Sequence, residues 1–345
     1  MTNYWWKDLI DQNNCWQGLE LTVHNVNSPV FEMQSGHNER MALLANSEAL
    51  FWATVLKDHS GVWLVFNAEH PAQRRLLPPI SSFEVESASR VSKKHRLSYW
   101  CRYFARQLMA APASLLSSGR WLLRPMEGVK PTAPYVLNKQ IPVKQWRFET
   151  PRTSPDISVF WSLYSEDIPD LQNPEKVIFV DWWGGGNQLL PRYPVASDCG
   201  RVKWWRKKCR EGTLPPILLW FISGLASFVI LDGHERMQAA LAEGIPPQFL
   251  VLSELSEHMQ RPDEKTRERV LHSLAIQQEK LKKTGNNIDA MNQMLMNLYH
   301  NRYLYATTHS RAVLGNGKAW ECQVKAYLLR QNMESYLEKI ILREE

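Results

Sequence analysis

Four ionisable side chains are crowded into one short turn near the middle of the chain, in the sequence Asp232-Gly233-His234-Glu235-Arg236. A β-rich apolar run precedes this turn at residues 227–231, and an alanine-rich helical pattern begins directly behind it. The first turn of a helix offers unpaired backbone N–H groups and the positive end of the helix dipole, so phosphate is its natural ligand. Packing explains the apolar residues on either side, but it does not explain the charged cluster.

The residue types in this turn suit phosphate chemistry. Gly233 lets backbone N–H groups approach an anion, and the guanidinium of Arg236 matches phosphate geometry with two parallel hydrogen bonds. His234 can add positive charge, whereas Asp232 or Glu235 can hold Mg²⁺ or act as a general base. We therefore predict that Asp232, His234 and Glu235 are catalytic and that Gly233 and Arg236 bind phosphate. On this interpretation, Arg236→Ala removes phosphate binding and leaves the fold largely intact.

The same spacing also allows a purely structural interpretation of the turn. Asp232 followed by Glu235 matches the capping box D-x-x-E, in which each side chain accepts from a free N–H at the helix start. Capping accounts for both acids but not for His234 or Arg236. If it is the whole explanation, Asp232→Ala costs about 1 kcal/mol of stability and leaves ligand binding unchanged.

The order of elements around the turn resembles the ParB/sulfiredoxin-like fold over residues 177–253. That group includes the N-terminal domain of partition proteins, sulfiredoxin and the free-serine kinases, which carry Gly-Glu-Arg-Arg or Asp-Gly-His-His-Arg at this turn. The corresponding features here are a strand at 177–180, Asn187 to Pro191-Arg192, a helix near 202–210, a Gly-x-x-x-Pro-Ile type entry at 212–217, the Asp232–Arg236 turn, Gly244 and a strand at 249–252. Glu235 replaces the second His of the kinases, and the cysteine of sulfiredoxins is absent, which argues against sulfiredoxin chemistry.

The resemblance implies a ligand and a set of binding residues. Asn187 and Arg192 would reach the same phosphate from the neighbouring loop, and the cofactor would be a nucleoside triphosphate, ATP or CTP, with Mg²⁺. Three functions fit: Mg-dependent phosphoryl transfer or nucleotide hydrolysis, a DNA-binding or ParB-like nuclease activity, and a non-catalytic nucleotide switch. The first and third need the same phosphate site, so the sequence does not separate them.

A basic segment that also contains Trp204 and Trp205 supports the DNA-binding alternative. Aromatic side chains interleaved with basic ones suit contact with nucleotides or nucleic acid. We predict a helix here, with its basic side chains on the same side of the protein as His234; a solvated cationic face is the alternative. The candidate nucleic-acid contacts are Lys203, Arg206, Lys207 and Arg210.

Composition limits the class of protein. The 345 residues carry a net charge of +6, which weakly favours anionic partners such as a nucleotide or DNA. The five cysteines are scattered without a metal-binding pattern, so we expect reduced thiols in a cytoplasmic protein and no structural zinc. The apolar stretch 214–231 contains Pro215-Pro216 and Ser223-Gly224, which favours a buried hairpin over a membrane span and predicts no membrane partner.

The pattern of the whole chain predicts a mixed α/β (α+β) protein. An N-terminal α/β region at 1–140 is indicated by a hairpin of residues 51–56 and 62–66 and by a helix at 97–111. A Pro-rich connector follows at 141–176, and the ParB/sulfiredoxin-like domain spans 177–256. Residues 257–345 are predicted to be helical, with helices starting near Pro262, near Asn286 and after Gly317, and their apolar faces could form a homodimer.

Overall fold

The computed structural model describes residues 3–11, 14–26, 29–70, 75–111, 115–129, 142–151, 159–259, 264–284 and 302–343. The chain divides into two compact units. The larger comprises residues 1–153, 160–255 and 307–345, and the smaller comprises residues 154–159 and 256–306. The described part of the smaller unit contains α5 (Glu264–Thr284) and most of the strand β15 (Arg302–Thr307).

Two mixed sheets form the larger unit. The first sheet has the order β1-β2-β7-β14-β12-β13-β11, and the second has the order β10-β6-β5-β4-β3-β16. The strands of the first sheet are β1 (Asn3–Ile10), β2 (Trp16–His24), β7 (Gly119–Gly128), β11 (Gln188–Leu190), β12 (Ile217–Ile222), β13 (Ser227–Asp232) and β14 (Phe249–Met259). Those of the second are β3 (Phe31–Ser35), β4 (Arg40–Ala45), β5 (Glu48–Val55), β6 (Gly61–Phe66), β10 (Val177–Asp181) and β16 (Ser310–Arg311).

The helices and two short strands complete this unit, whose mixed composition confirms the predicted α/β class. The two short strands, β8 (Arg147–Glu149) and β9 (Ser162–Tyr164), extend β7. One core contains buried side chains of both sheets, such as Leu21 and Leu64, together with Trp100 and Phe104 of a helix. The helices are α1 (Ser82–Arg90), α2 (Arg96–Ala110), α3 (Gly200–Arg210), α4 (His234–Glu243) and α6 (Lys318–Arg330).

The apolar stretch before the charged turn is a hairpin, as predicted. β12 and β13 run antiparallel, with Leu219 opposite Ile230, and Ala226 turns the chain in the left-handed region at φ 46°. Both strands are almost wholly buried because β12 lies between β13 and β14 within the sheet. Within the described ranges, no helix has the length and apolar character needed to cross a membrane.

The elements of the predicted ParB/sulfiredoxin-like order are present, but they do not share one sheet. β10 pairs with β6 of the second sheet, with Val177 opposite Val65, whereas β11, β12 and β13 belong to the first sheet. The first sheet continues through β14 into β7, so strands from the predicted N-terminal region and the predicted central domain are paired directly. The four predicted domain boundaries therefore stay a prediction, and the described chain groups its residues differently.

The C-terminal region is less helical than expected. α6 begins directly after Gly317, as predicted, but β15 and β16 interrupt the helical pattern. β15 contains Tyr303, Leu304 and Tyr305, which are residues that favour strands, and this signal was overlooked. The predicted helix starts near Pro262 and Asn286 lie outside the described residues.

Candidate functional site

The charged turn joins β13 directly to α4, as the sequence predicts. Gly233 adopts φ 108° and ψ 24°, a conformation that a side chain disfavours, and it precedes the first helical residue, His234. The first backbone hydrogen bond of the helix runs from Met237 N to Gly233 O at 2.8 Å. The N–H groups of His234, Glu235 and Arg236 therefore have no acceptor within the described part of the chain.

The predicted capping box does not form. No side chain accepts a hydrogen bond at the start of α4. The carboxylate of Asp232 turns instead to the guanidinium of Arg236, four residues further on, with Oδ2 2.6 Å from Nη2. An ion pair at this spacing is favoured on a helix, and here it leaves the first turn of backbone N–H groups open. The structural interpretation of the two acids is therefore wrong.

Arg236 is a buried side chain that ties three elements together. It is 3% exposed, and besides Asp232 it donates to the carbonyl of Pro216 at 3.1 Å. Its guanidinium carbon lies 5.5 Å from the ring centroid of Trp205 on α3, within the range of a cation–π contact. Its Nε is buried without a partner among the described atoms. These contacts contradict the expectation that Arg236→Ala leaves the fold intact.

His234 is fully buried and electrically neutral. Its Nε2 accepts the backbone N–H of Arg192 at 3.0 Å, and its ring stacks on Tyr193 with centroids 3.9 Å apart. Because Nε2 is an acceptor, a neutral imidazole carries its proton on Nδ1, which has no partner in the described part of the chain. Burial, reinforced by the charges of Arg192 and Arg236, holds the pKa of His234 well below its ordinary value. The predicted role of His234 as a source of positive charge is therefore wrong at neutral pH.

The depressed pKa of His234 should make stability depend on pH. The unfolded chain takes up a proton near pH 6.5 whereas the folded chain does not, so the free energy of unfolding should fall as the pH drops below that value. The contribution of this one group is at most about 1.4 kcal/mol per pH unit. We expect His234→Phe, which keeps a ring against Tyr193, to flatten the stability profile between about pH 6.5 and 5. Urea unfolding across this range measures the effect, and identical pH slopes in both proteins would contradict it.

Arg192 reaches the turn from the end of β11, as predicted. Its Nε donates to the carbonyl of Ile230 at 2.9 Å and its Nη2 to that of Leu231 at 2.8 Å. Burial lowers the pKa of Arg192 to about 10, so the side chain still carries its charge at neutral pH. Arg192 is thus a fixed cation beside the last residues of β13.

Asn187 lies away from the turn, contrary to the prediction. It precedes β11, and its N–H donates to the carbonyl of Ala226 at 2.5 Å, at the beginning of β13. Its side-chain amide donates to Gly185 O at 3.0 Å and contacts Ser162 Oγ at 3.4 Å. Because β13 rises about 3.3 Å per residue, roughly 17 Å of strand separates Asn187 from Asp232. Asn187 thus fixes a loop at the far end of the strand.

Arg201 is a candidate site residue that the sequence interpretation missed. Burial is the largest cause that lowers its pKa, the charge of Arg236 lowers it further, and the charges of Glu235 and Asp232 oppose the shift. Its guanidinium lies over the rings of Trp204 and Trp205 at 5.1 and 4.9 Å, and it donates to Ile80 O at 2.7 Å. Its position in the first turn of α3, ahead of the Trp pair, was the available signal.

The predicted nucleic-acid contacts lie on α3, which is a helix as expected. Arg206 and Arg210 both bind the carboxylate of Glu243, at 2.6 and 2.7 Å. Glu243 is the last residue of α4, about 13 Å along the helix from His234. Lys207 approaches Glu211 at 3.9 Å, and Lys203 is exposed. Arg206 and Arg210 are therefore paired at the far end of α4 and do not face the phosphate-binding turn.

Glu235 completes the group of acids and bases around the turn. Its side chain is half-buried and has no ion pair within the described part of the chain. With Asp232 it opposes the three guanidinium groups of Arg192, Arg201 and Arg236, so the group carries one net positive charge. The described residues contain no cluster of His, Cys, Asp or Glu that could hold a metal by itself, and all five cysteines are free thiols. A cavity of about 410 Å³ borders Arg192 and Tyr193.

Comparison with known proteins gives no relative for this chain. No family model, no curated protein and no solved structure matches it. The resemblance to the ParB/sulfiredoxin-like fold therefore stays a prediction that rests on the residues quoted above. The argument for function rests on the geometry of the turn.

Proposed function

We propose that this chain binds the phosphate groups of a nucleotide at the first turn of α4. The observation that carries this proposal is the set of three backbone N–H groups, at His234, Glu235 and Arg236, that lack acceptors within the described part. They point out of the positive end of a helix dipole. Arg192, Arg201 and Arg236 surround the same turn with fixed positive charge, which an anion would neutralise.

The two carboxylates indicate that the nucleotide arrives with Mg²⁺. A phosphate next to Asp232 and Glu235 is repelled unless a cation stands between them, and Mg²⁺ is commonly held by one or two carboxylates and the phosphates themselves. Asp232 is already engaged by Arg236 at 2.6 Å, so Glu235 is the better metal ligand or general base. We therefore favour Mg-dependent phosphoryl transfer or hydrolysis of ATP or CTP, with a non-catalytic switch as the alternative.

DNA binding receives less support from the side chains of α3. Arg206 and Arg210 share Glu243, and Lys208 binds Glu211 at 2.8 Å, so much of the positive charge on this helix is neutralised within the protein. Contact with DNA would have to break these pairs or rely on Lys203. Binding that weakens steeply with salt would indicate the DNA interpretation.

A pair of glycine substitutions on the same helix tests the phosphate site. Gly233 and Gly244 both have positive φ, at 108° and 62°, so Ala at either position costs backbone strain of about 1–2 kcal/mol. A Cβ on Gly233 would lie 2.8 to 3.1 Å from guanidinium atoms of Arg236 and displace them, whereas a Cβ on Gly244 meets nothing within 4 Å. We expect Gly233→Ala to weaken nucleotide binding at least tenfold and Gly244→Ala to change it less than twofold.

The measurement is calorimetric titration with ATP and CTP, each with and without Mg²⁺, after a thermal-shift screen that also includes ADP and GTP. Binding that is equally strong in the two variants contradicts the proposal. Binding that is lost equally in both indicates only a loss of fold.

Replacing Glu235 with Gln separates catalysis from switching. The amide keeps the size of the side chain but removes its negative charge, so it can neither act as a base nor hold Mg²⁺ strongly. If the protein is an enzyme, Glu235→Gln should keep nucleotide binding and lower turnover by about 10² or more. Release of inorganic phosphate measures turnover. Unchanged turnover in Glu235→Gln removes Glu235 from the mechanism, and absence of turnover in the unmodified protein favours the switch.

A further inference from the structure

A second cavity, of about 390 Å³, lies in the larger unit between the two sheets, well apart in sequence from the α4 turn. Its wall is aromatic: Trp220 lies 5.5 Å from Phe31 and 6.3 Å from Trp121, centroid to centroid. Glu254 and His309 add polar groups to the lining. We refer to these five residues as the Trp220 cleft. Its volume is within the range of ordinary small-molecule sites.

A short segment, residues 308–311, forms one edge of the cleft and is fixed at three points. The hydroxyl of Thr308 accepts the backbone N–H of Ser223 at 3.0 Å. His309 binds Glu254, and Arg311 donates to both carboxylate oxygens of Glu32 at 3.1 and 2.9 Å. The polar edge is therefore held in place before any ligand enters.

Glu254 is an acid buried in an aromatic cleft. Its side chain is 5% exposed, and its carboxylate accepts the backbone N–H of His309 at 2.9 Å and the ring Nδ1 of His309 at 2.5 Å. A carboxylate offers about four lone-pair positions, so acceptor capacity is left over for a ligand. The imidazole is 70% exposed, and when Nδ1 is the donor its Nε2 is an acceptor.

The charges around the cleft select the kind of ligand. Arg311 neutralises Glu32, whereas the only counter-charge to Glu254 in the described part of the cleft is the imidazole of His309. An ammonium group has three N–H donors and keeps its charge at neutral pH, so it fits the acceptors of Glu254 and His309. The faces of Trp220 and Trp121 attract both a cation and an aromatic ring.

We infer that the Trp220 cleft is a binding site for a small aromatic amine, whose ammonium group binds Glu254 and whose ring packs on Trp220. An arylethylamine has the required length and combination of groups. This inference does not depend on the phosphate site, because the cleft shares no residue with the Asp232–Arg236 turn.

Three probes of the same shape and different charge test the inference: tyramine, 4-ethylphenol and 4-hydroxyphenylacetate. Saturation-transfer NMR and calorimetry measure their binding. We expect tyramine to bind at least tenfold more tightly than 4-ethylphenol and 4-hydroxyphenylacetate to bind most weakly. Glu254→Gln, which keeps an acceptor but removes the charge, should weaken tyramine at least tenfold and change 4-ethylphenol less than twofold.

A matched control is the exposed pair His59–Glu39, whose atoms approach to 3.7 Å outside the cleft. Glu39→Gln removes the same charge from the same kind of pair and should leave the binding of all three probes unchanged. The inference is overturned if none of the probes binds, if the acid binds as well as the amine, or if Glu254→Gln weakens tyramine and 4-ethylphenol equally.

Discussion

Arg236→Ala is expected to lower the free energy of unfolding by about 3 kcal/mol and to abolish phosphate binding. The substitution leaves the Asp232 carboxylate without its partner, and removing one member of a buried ion pair typically costs about 3–5 kcal/mol. We take the lower end because the Asp232 side chain is 23% exposed. Pro216 O also loses its donor, and Trp205 loses its cation. Urea unfolding measures the stability, and calorimetry below the unfolding transition measures the binding.

A double variant separates the lost ion pair from a general loss of packing. Asp232→Asn removes the charge that Arg236→Ala leaves uncompensated, so Asp232→Asn/Arg236→Ala should be more stable than the sum of the single changes predicts. The expected interaction energy is about 1 kcal/mol or more, since the two side chains are in direct contact. Strictly additive effects would contradict the pairing. Neither variant should recover phosphate binding, because both lack the guanidinium.

Arg192→Met should be almost as destabilising, for a different reason. Methionine fills a similar volume but cannot donate, so the carbonyls of Ile230 and Leu231 lose the two donors that Arg192 supplies. A buried polar group without a partner costs about 1–3 kcal/mol, so we expect a total loss of about 3 kcal/mol.

Arg206→Met is the matched control for this prediction. Arg206 also forms an ion pair, with Glu243, but its side chain is 42% exposed, and a pair of this kind contributes about 1 kcal/mol or less. Urea unfolding of both variants should therefore separate them by about 2 kcal/mol. Equal stabilities would mean that Arg192 does not hold the end of β13. The control has a second use, since DNA affinity that falls in Arg206→Met would revive the nucleic-acid interpretation.

The sequence predicted the elements whose signal is local. The hairpin of β12 and β13 followed from β-branched and aromatic residues around a turn at Ser223-Gly224, and α4 followed from an alanine-rich run that ends at Gly244. The hairpin of β5 and β6 and the helix α2 were predicted in the same way. In each of these elements the pattern of apolar residues and the residues that end it lie within about 15 positions.

The pairing of elements could not be predicted in this way. β10 is an ordinary apolar strand, and nothing within it specifies that it pairs with β6 rather than with β11. Asn187 was placed by its family-like order, but its distance from the turn depends on the direction of β13 relative to β11. Glu254 and His309 are 55 positions apart, so their contact has no local signal.

Within the turn itself, two local interactions competed and the sequence interpretation chose the wrong one. Asp232 can cap the helix or pair with Arg236 at i,i+4, and both patterns are present in the sequence. The buried guanidinium near Trp205 decided the outcome, because an arginine removed from water needs a carboxylate more than a backbone N–H needs a cap.

The most direct test of the phosphate site is to follow the backbone amides of the first turn of α4 by NMR. Mg²⁺–ATP, Mg²⁺–CTP and pyrophosphate are titrated into ¹⁵N-labelled protein, and the amide signals of His234, Glu235 and Arg236 are compared with those at the start of α6. Gly317 precedes α6 with φ 76°, and no side chain accepts at that cap, so α6 provides a similar helix start without the three guanidinium groups. The account predicts saturable shifts at residues 234–236 that are absent from residues 318–320. Shifts that are missing at 234–236, or equal at both helix starts, would contradict it.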